Sequence, residues 1–259
     1  MRQIGIYGKG GIGKSTLASS ISASLTVSGK KVLQVGCDPK MDSTRNLLGR
    51  KHGAPVLDLL RKGRRDQLEP HEYIETGYSG IDCIEVGGPE PGVGCAGRGI
   101  VKLFDILADG EVLGRDYDAV IYDVLGDVVC GGFAVPMRSG NANEIYIVVS
   151  GEPMAIYAAN NICRGIRRYA DTSGVRLAGL IANLKMPDED LPIVVDFAKK
   201  IGATLLPVVK WSSAIRKAEF SQSTVIESAP EHEIATSIGT LANALWENSA
   251  LVIPRPMDE

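Results

Sequence analysis

The sequence predicts an α/β fold: a doubly wound, mostly parallel sheet of seven or so strands flanked by helices on both faces. Short apolar runs of strand length alternate along the chain with longer stretches of helical pattern. The first such run, Ile4 to Tyr7, passes through a glycine-rich turn into Thr16 to Val27, whose small and apolar residues read as a helix. No Pro/Gly/Ser-rich linker, internal repeat or low-complexity segment divides the 259 residues, which are 44% hydrophobic. Residues 1–259 are therefore expected to form one domain with one large core.

The turn after the first strand reads Gly8-Lys9-Gly10-Gly11-Ile12-Gly13-Lys14-Ser15, then Thr16. G-x-x-x-x-G-K-S between a strand and a helix is the phosphate loop of a P-loop NTPase. Backbone N–H groups close around a polyphosphate, the helix N-terminus faces its charge, Lys14 reaches the outer phosphates and Ser15 is left for Mg²⁺. Lys9 is not needed by the nucleotide of its own chain. It can reach a phosphate bound by a facing subunit, as cations supplied in trans do, or be a solvated surface lysine.

Lys31 to Val35 reads as the next strand and runs into Gly36-Cys37-Asp38-Pro39-Lys40 and Asp42-Ser43-Thr44. Ligands of such sheets sit beyond the carboxyl ends of the strands, so Asp38, Lys40 and Asp42 are expected near the phosphates. Asp38 can orient an attacking water or cap the Asp-Pro turn. The basic run Arg61-Lys62-Gly63-Arg64-Arg65 reads as a solvated face. Ile81 to Val86 is a strand in which Cys83 packs. Gly87 to Gly99 holds six glycines and two prolines, which predicts irregular backbone able to approach something closely around Cys95. From Ile100 to Leu107 the pattern turns helical.

Asp118 to Asp123 reads as a buried strand ending in an acid, where the Mg²⁺-side aspartate of a P-loop NTPase stands. Gly126 can bring its N–H to a terminal phosphate, and Cys130 lies seven residues beyond Asp123, so whatever Cys130 holds is tied mechanically to the nucleotide. Glu144 to Val149 is a strand and Met154 to about Tyr169 a helix. Leu177 to Ala182 is a strand ending at Asn183, whose amide can read an adenine edge or serve as a turn residue. Asp188-Glu189-Asp190 suits a helix N-terminus and receives no functional role. Ala203 to Val208 reads as the last clear strand, followed by a helix from about Glu231 to Glu247.

With 28 Lys+Arg against 31 Asp+Glu the formal charge is -3, which provides no general attraction to nucleic acid or to an anionic membrane. No signal-like segment opens the chain and no apolar run has bilayer-spanning length, so the expectation is a cytoplasmic protein without nucleic-acid or membrane partners. Five cysteines, Cys37, Cys83, Cys95, Cys130 and Cys163, do not suggest a disulfide framework. With no C-x-x-C and with His52, His71 and His232 scattered, a conventional zinc site is not expected. Cys95 and Cys130 both lie in glycine-rich loops. They are packing residues, or two of the four thiolates of a [4Fe-4S] cluster whose others come from a symmetry-related subunit.

The stretches Gly8 to Thr16, Gly36 to Arg45, Gly87 to Gly99, Tyr122 to Pro136, and Ser150 with Ala158-Ala159-Asn160-Asn161 closely resemble the nitrogenase iron protein family, a similarity running from Arg2 to about Pro256. The resemblance implies a homodimer that carries one bridging [4Fe-4S] cluster and passes single electrons to a partner enzyme as it hydrolyses MgATP. It implies Cys95 and Cys130 as cluster ligands and Lys9 as the trans-acting lysine. Lys14, Ser15 and Thr16 would hold phosphates and Mg²⁺, with Asp38, Asp123 and Asp127 activating water and linking nucleotide to cluster. It further implies a low-potential ferredoxin or flavodoxin as donor, and a docking face near Cys95, Cys130 and Arg98, an arginine that some members regulate by ADP-ribosylation.

Two departures stand out: the chain stops at Glu259, short of the family's usual tail, and Lys210-Trp211-Ser212 replaces its usual Pro-Arg-Asp beside the adenine. They favour a reductase for a nitrogenase-like system over the dinitrogenase reductase of nitrogenase proper. Two other classes compete. A positioning or partitioning ATPase shares the phosphate loop but needs no cysteines, and an iron–sulfur scaffold generally uses a C-x-x-C.

Overall fold

A computed structural model describes residues 1–62, 68–88, 96–124 and 134–258, with backbone alone for Ala96 and Arg98. The first half runs β1 (Arg2–Tyr7), α1 (Lys14–Val27), β2 (Val32–Gly36), α2 (Arg45–Leu48), α3 (Val56–Arg61), α4 (Pro70–Tyr73), β3 (Glu75–Thr76), β4 (Asp82–Glu85), α5 (Ala96–Asp109) and β5 (Ala119–Asp123). There follow α6 (Val135–Arg138), β6 (Glu144–Val149), α7 (Pro153–Ser173), β7 (Arg176–Leu184) and α8 (Pro187–Ile201). The last elements are β8 (Val209–Lys210), α9 (Ser213–Phe220), α10 (Val225–Ser228) and α11 (Glu233–Glu247).

The strands form one eight-stranded sheet in the order β3-β4-β2-β5-β1-β6-β7-β8, with every pairing parallel except β3 against β4. Side chains of a strand alternate between faces, so a strand covered on both sides must be apolar throughout. β6 shows this: Ile145, Ile147 and Val149 enter one core layer, whereas Tyr146 and Val148 enter the other. The first layer also takes Tyr7, Tyr122 and the buried stripes of α5 and α7. The second is closed by Leu17 and Ile21 of α1 and by Ile238, Leu241 and Leu245 of α11. This doubly wound arrangement aligns the carboxyl ends of β2, β5, β1 and β6 along one edge.

Two predicted elements differ. Ala203 to Val208 is not a strand: Leu205 makes an isolated bridge to Leu180, and the ladder resumes only at Val209. Pro207 has no N–H to give, which breaks regular pairing there. The irregular stretch expected up to Gly99 ends sooner, because α5 begins at Ala96 and takes Gly97 and Gly99 into its first turn. No described helix is long and apolar enough to cross a membrane.

Candidate functional site

The glycines of the phosphate loop answer to specific neighbours. Gly8 leaves β1 with φ 146, where a Cβ would overlap the main-chain carbonyl oxygen of Val148 in β6. Gly11 and Gly13 take the left-handed region, with φ 75 and 94. Gly13 caps α1, and a Cβ on it would lie 2.6 Å from the amide nitrogen of Asn183. That amide, at the end of β7, donates to the Ile12 carbonyl at 2.8 Å and tethers the loop. Its nitrogen is thus engaged by the loop rather than turned to a base, although Asn183 lines the same cavity.

Lys14 is buried at the start of α1, and Asp123 at the end of β5 is buried behind it. Desolvation raises the Asp123 pKa, opposed by the Lys14 charge and by the hydroxyls of Ser15 and Ser43, while Asp42 adds to the rise. Its Oδ2 has no hydrogen-bond partner. A buried orphan carboxylate oxygen beside the Ser15 hydroxyl is a hard-oxygen donor set that fits Mg²⁺.

A cavity of about 740 Å³ opens over the loop, walled by Lys40, Asp42, Ser150, Lys185, Trp211 and Glu219. Its size suits a mononucleotide. Lys9 lies at its rim with Nζ 3.5 Å from Oε2 of Glu152, an exposed pair worth little by itself. Asp38 also lines the cavity, 7% exposed, and its Oδ1 accepts from the Lys40 N–H at 2.9 Å. Its capping geometry and its place at the site coexist.

A second buried carboxylate was not marked by the sequence reading. Glu85, the last residue of β4, is fully buried, and its Oε1 accepts the Thr44 N–H at 2.8 Å and the Thr44 hydroxyl at 2.9 Å. Its Oε2 has no partner. Burial pushes this carboxyl up to about 8, with the Thr44 bonds opposing and Asp123 and Asp42 reinforcing the rise. The carboxyl fits only because Gly36 opposite has no Cβ, which would overlap Oε2. Ser43 is held from the other side by Gln34, whose Nε2 donates to its hydroxyl at 2.9 Å while Ser22 donates to Gln34 Oε1. The available signal was an acid, Glu85, set between the apolar Ile84 and Val86 of a predicted strand.

Cys95, Gly126, Asp127 and Cys130 lie outside the described residues, as do Arg64 and Arg65 of the basic run; Arg98 stands in the first turn of α5. Glu85 and Asp123 both align with Gly36 of β2, which lies between their strands. The described ends of β4 and β5 therefore lie at one edge of the sheet, two strand spacings or roughly 10 Å apart. The other cysteines, Cys37, Cys83 and Cys163, are buried as free thiols.

A family model described as 4Fe-4S iron sulfur cluster binding proteins, NifH/frxC family, matches residues 2–259. The chain belongs to the NifH/frxC family. The solved structures it is similar to show its fold. The cell division ATPase MinD of Pyrococcus furiosus is 19% identical over 95% of this chain and 99% of that one, with a TM-score of 0.75. Cobyrinic acid a,c-diamide synthase of Mycobacterium smegmatis, with bound ATP analog and magnesium, is 20% identical over 98% of each chain at 0.73. A ParA family ATPase of Chlorobium tepidum is 19% identical over 93% and 98% at 0.69.

In this NifH/frxC family member the far wall of the cavity is built after β7. The Trp211 N–H donates to the Leu184 carbonyl at 2.8 Å, next to Asn183, and leaves the indole 58% exposed at the cavity. Ser212 caps α9 by accepting from the Ala214 N–H. From α9, Arg216 and Glu219 line the cavity, and Glu219 accepts the Thr16 hydroxyl, closing the wall onto α1. Asp190, read as merely suiting a helix start, is buried and lines the cavity too.

Proposed function

We propose that this protein is a MgATP-driven reductase component. Two copies hold one [4Fe-4S] cluster through Cys95 and Cys130 of each, with residues 1–259 acting as one unit. It takes electrons from a low-potential ferredoxin or flavodoxin and passes them singly to a nitrogenase-like catalytic partner that docks near Cys95, Arg98 and Cys130. The observation that carries this reading is the family match across residues 2–259, whose description names cluster binding. When bound, the cluster supplies a one-electron store.

Each step is assigned to residues of this chain. The phosphate loop from Gly8 to Thr16 donates backbone N–H groups to the phosphates, and Lys14 offsets their charge. Ser15 and Asp123 offer oxygens to Mg²⁺. Asp38 orients the attacking water, with Lys40 and Asp42 beside it. Lys9 exchanges Glu152 for a phosphate in the facing protomer, so nucleotide draws the two copies together. Asp123, Gly126 and Asp127 take one position with a γ-phosphate present and another without it, a bistable element leading to Cys130.

A second reading, a positioning ATPase, is favoured by the likeness in fold to MinD and ParA ATPases. It shares the nucleotide steps and requires no cysteine. Anaerobic iron analysis with a visible spectrum separates the two. The reductase binds about four irons per dimer, and Cys95→Ala or Cys130→Ala abolishes them while Cys37→Ala, Cys83→Ala and Cys163→Ala do not. A full cluster signal in Cys95→Ala protein overturns the ligand assignment, and wild-type protein that hydrolyses ATP but takes up no iron supports the positioning ATPase.

A further inference from the structure

The loop from Asp38 to Thr44 meets the nucleotide cavity on one side, through Asp38, Lys40 and Asp42. On its other side it grips the end of β4 at two points. At one, Thr44 commits both its N–H and its hydroxyl to the buried Glu85. At the other, Gly88 lies so close to Pro39 that a Cβ there would be 3.0 Å from the Pro39 Cβ and 3.1 Å from its carbonyl oxygen.

The end of β4 cannot absorb a push locally. The Val86 N–H donates to Gly36 at 2.9 Å, the Leu57 N–H of α3 donates to the Val86 carbonyl at 3.0 Å, and Arg61 donates to the Gly88 carbonyl at 2.6 Å. Close-packed contacts of this kind pass displacement on rather than damp it. Two features give the loop somewhere to move. Met41 holds a left-handed φ of 54 without being glycine, and Glu85 Oε2 is buried without a partner, so this arrangement stores unfavourable energy that a second arrangement can release.

We propose that Thr44, Glu85, Pro39 and Gly88 are positioning residues that couple nucleotide state to the end of β4, along a path separate from the Asp123 strand. The proposal rests on reading the cavity as an MgATP site and deepens it. Nucleotide reaches both edges of Gly36, through Glu85 on β4 and Asp123 on β5, and each of these strands leads toward one of the two cysteine segments. The Thr44–Glu85 bond is the joint that the β4 path depends on.

Hydrogen–deuterium exchange on the full chain, with and without a non-hydrolysable ATP analogue and Mg²⁺, tests this. In wild type the analogue slows exchange of the Val86 and Leu57 amides about tenfold, an ordinary coupling strength. Thr44→Val binds the analogue and keeps the response at the Val124 amide but loses it at Val86 and Leu57, and Thr44→Ser restores it. Gly88→Ala, which disturbs the other contact, weakens the same response and serves if Thr44→Val does not fold. A wild-type response in Thr44→Val, or in Gly88→Ala where that variant stands in, overturns the proposal. So does wild-type protein that binds the analogue without change at Val86 and Leu57. Failure of wild-type protein to bind the analogue at all is a different outcome and refutes the MgATP reading itself.

Discussion

Gly8 and Gly13 both hold backbone conformations unfavourable to other residues, yet their replacement should do different harm. At Gly8 an added Cβ meets main-chain atoms of a central strand, which cannot yield. Gly8→Ala is expected to cost about 3 kcal/mol of stability, read as a lowered unfolding midpoint without nucleotide. At Gly13 the obstacle is the end of a side chain, Asn183. Gly13→Ala should cost nearer 1 kcal/mol but displace the tether to Ile12 and weaken binding of a fluorescent ATP analogue about tenfold. Equal losses of stability would refute this distinction. Glu85 sets a pH dependence. Its ordinary carboxyl value is 4.5 and its buried value about 8, so between these the native state retains a proton that the unfolded chain has lost. Stability therefore falls as pH rises through this window and levels off above it, by at most about 5 kcal/mol. Buried Asp123, also raised, adds in the same direction, so the difference between wild type and Glu85→Gln isolates Glu85. Urea unfolding of nucleotide-free protein between about pH 5 and pH 8 should show the flatter profile in Glu85→Gln, and parallel profiles would place the titration elsewhere.

The elements that build the base side of the cavity are the end of β7 and α9, joined by Lys210-Trp211-Ser212. The Trp211 indole is exposed at the cavity, where the proposed nucleotide's base is expected to stack on it, whereas Trp246 on α11 is occupied by Lys30, whose Nζ stands 4.7 Å from its ring centroid. MgATP should quench the emission of Trp211, and Trp211→Phe should leave only the Trp246 signal. Trp211→Ala should weaken ATP binding about tenfold, the scale of one lost aromatic contact, while leaving inorganic triphosphate unaffected. Equal losses for both ligands would show that Trp211 shapes the phosphate end instead. α7 and α11 were legible as helices because each buries one stripe, and α1 because its run of small and apolar residues, buried from Leu17 to Leu25, suits a helix covered on more than one side. The wall made by α9 was not, because Glu219 reaches Thr16 across 203 positions of sequence.

For the molecule as a whole, the role proposed for Lys9 across a seam between two copies is open to test. Lys9→Ala should bind nucleotide within about threefold of wild type through Lys14, yet lose ATP-driven association and about a hundredfold or more of turnover. Light scattering with MgATP and a phosphate-release assay check both, and wild-type turnover would make the Lys9–Glu152 pair no more than a surface contact. The phosphate loop and the positions of most buried strands along the chain were legible in the sequence, since a strand, a glycine turn and a helix start are encoded within a few neighbouring residues. The strand read at Ala203 to Val208 failed where Pro207 overrode an apolar run that looked regular. It took the folded chain to show that Thr44 meets Glu85 41 positions away, that Asn183 holds Ile12, and that β4 and β5 flank Gly36 at one level. These contacts depend on strand register and on the room left by a missing Cβ at Gly36, and neither is written in the local pattern of residues.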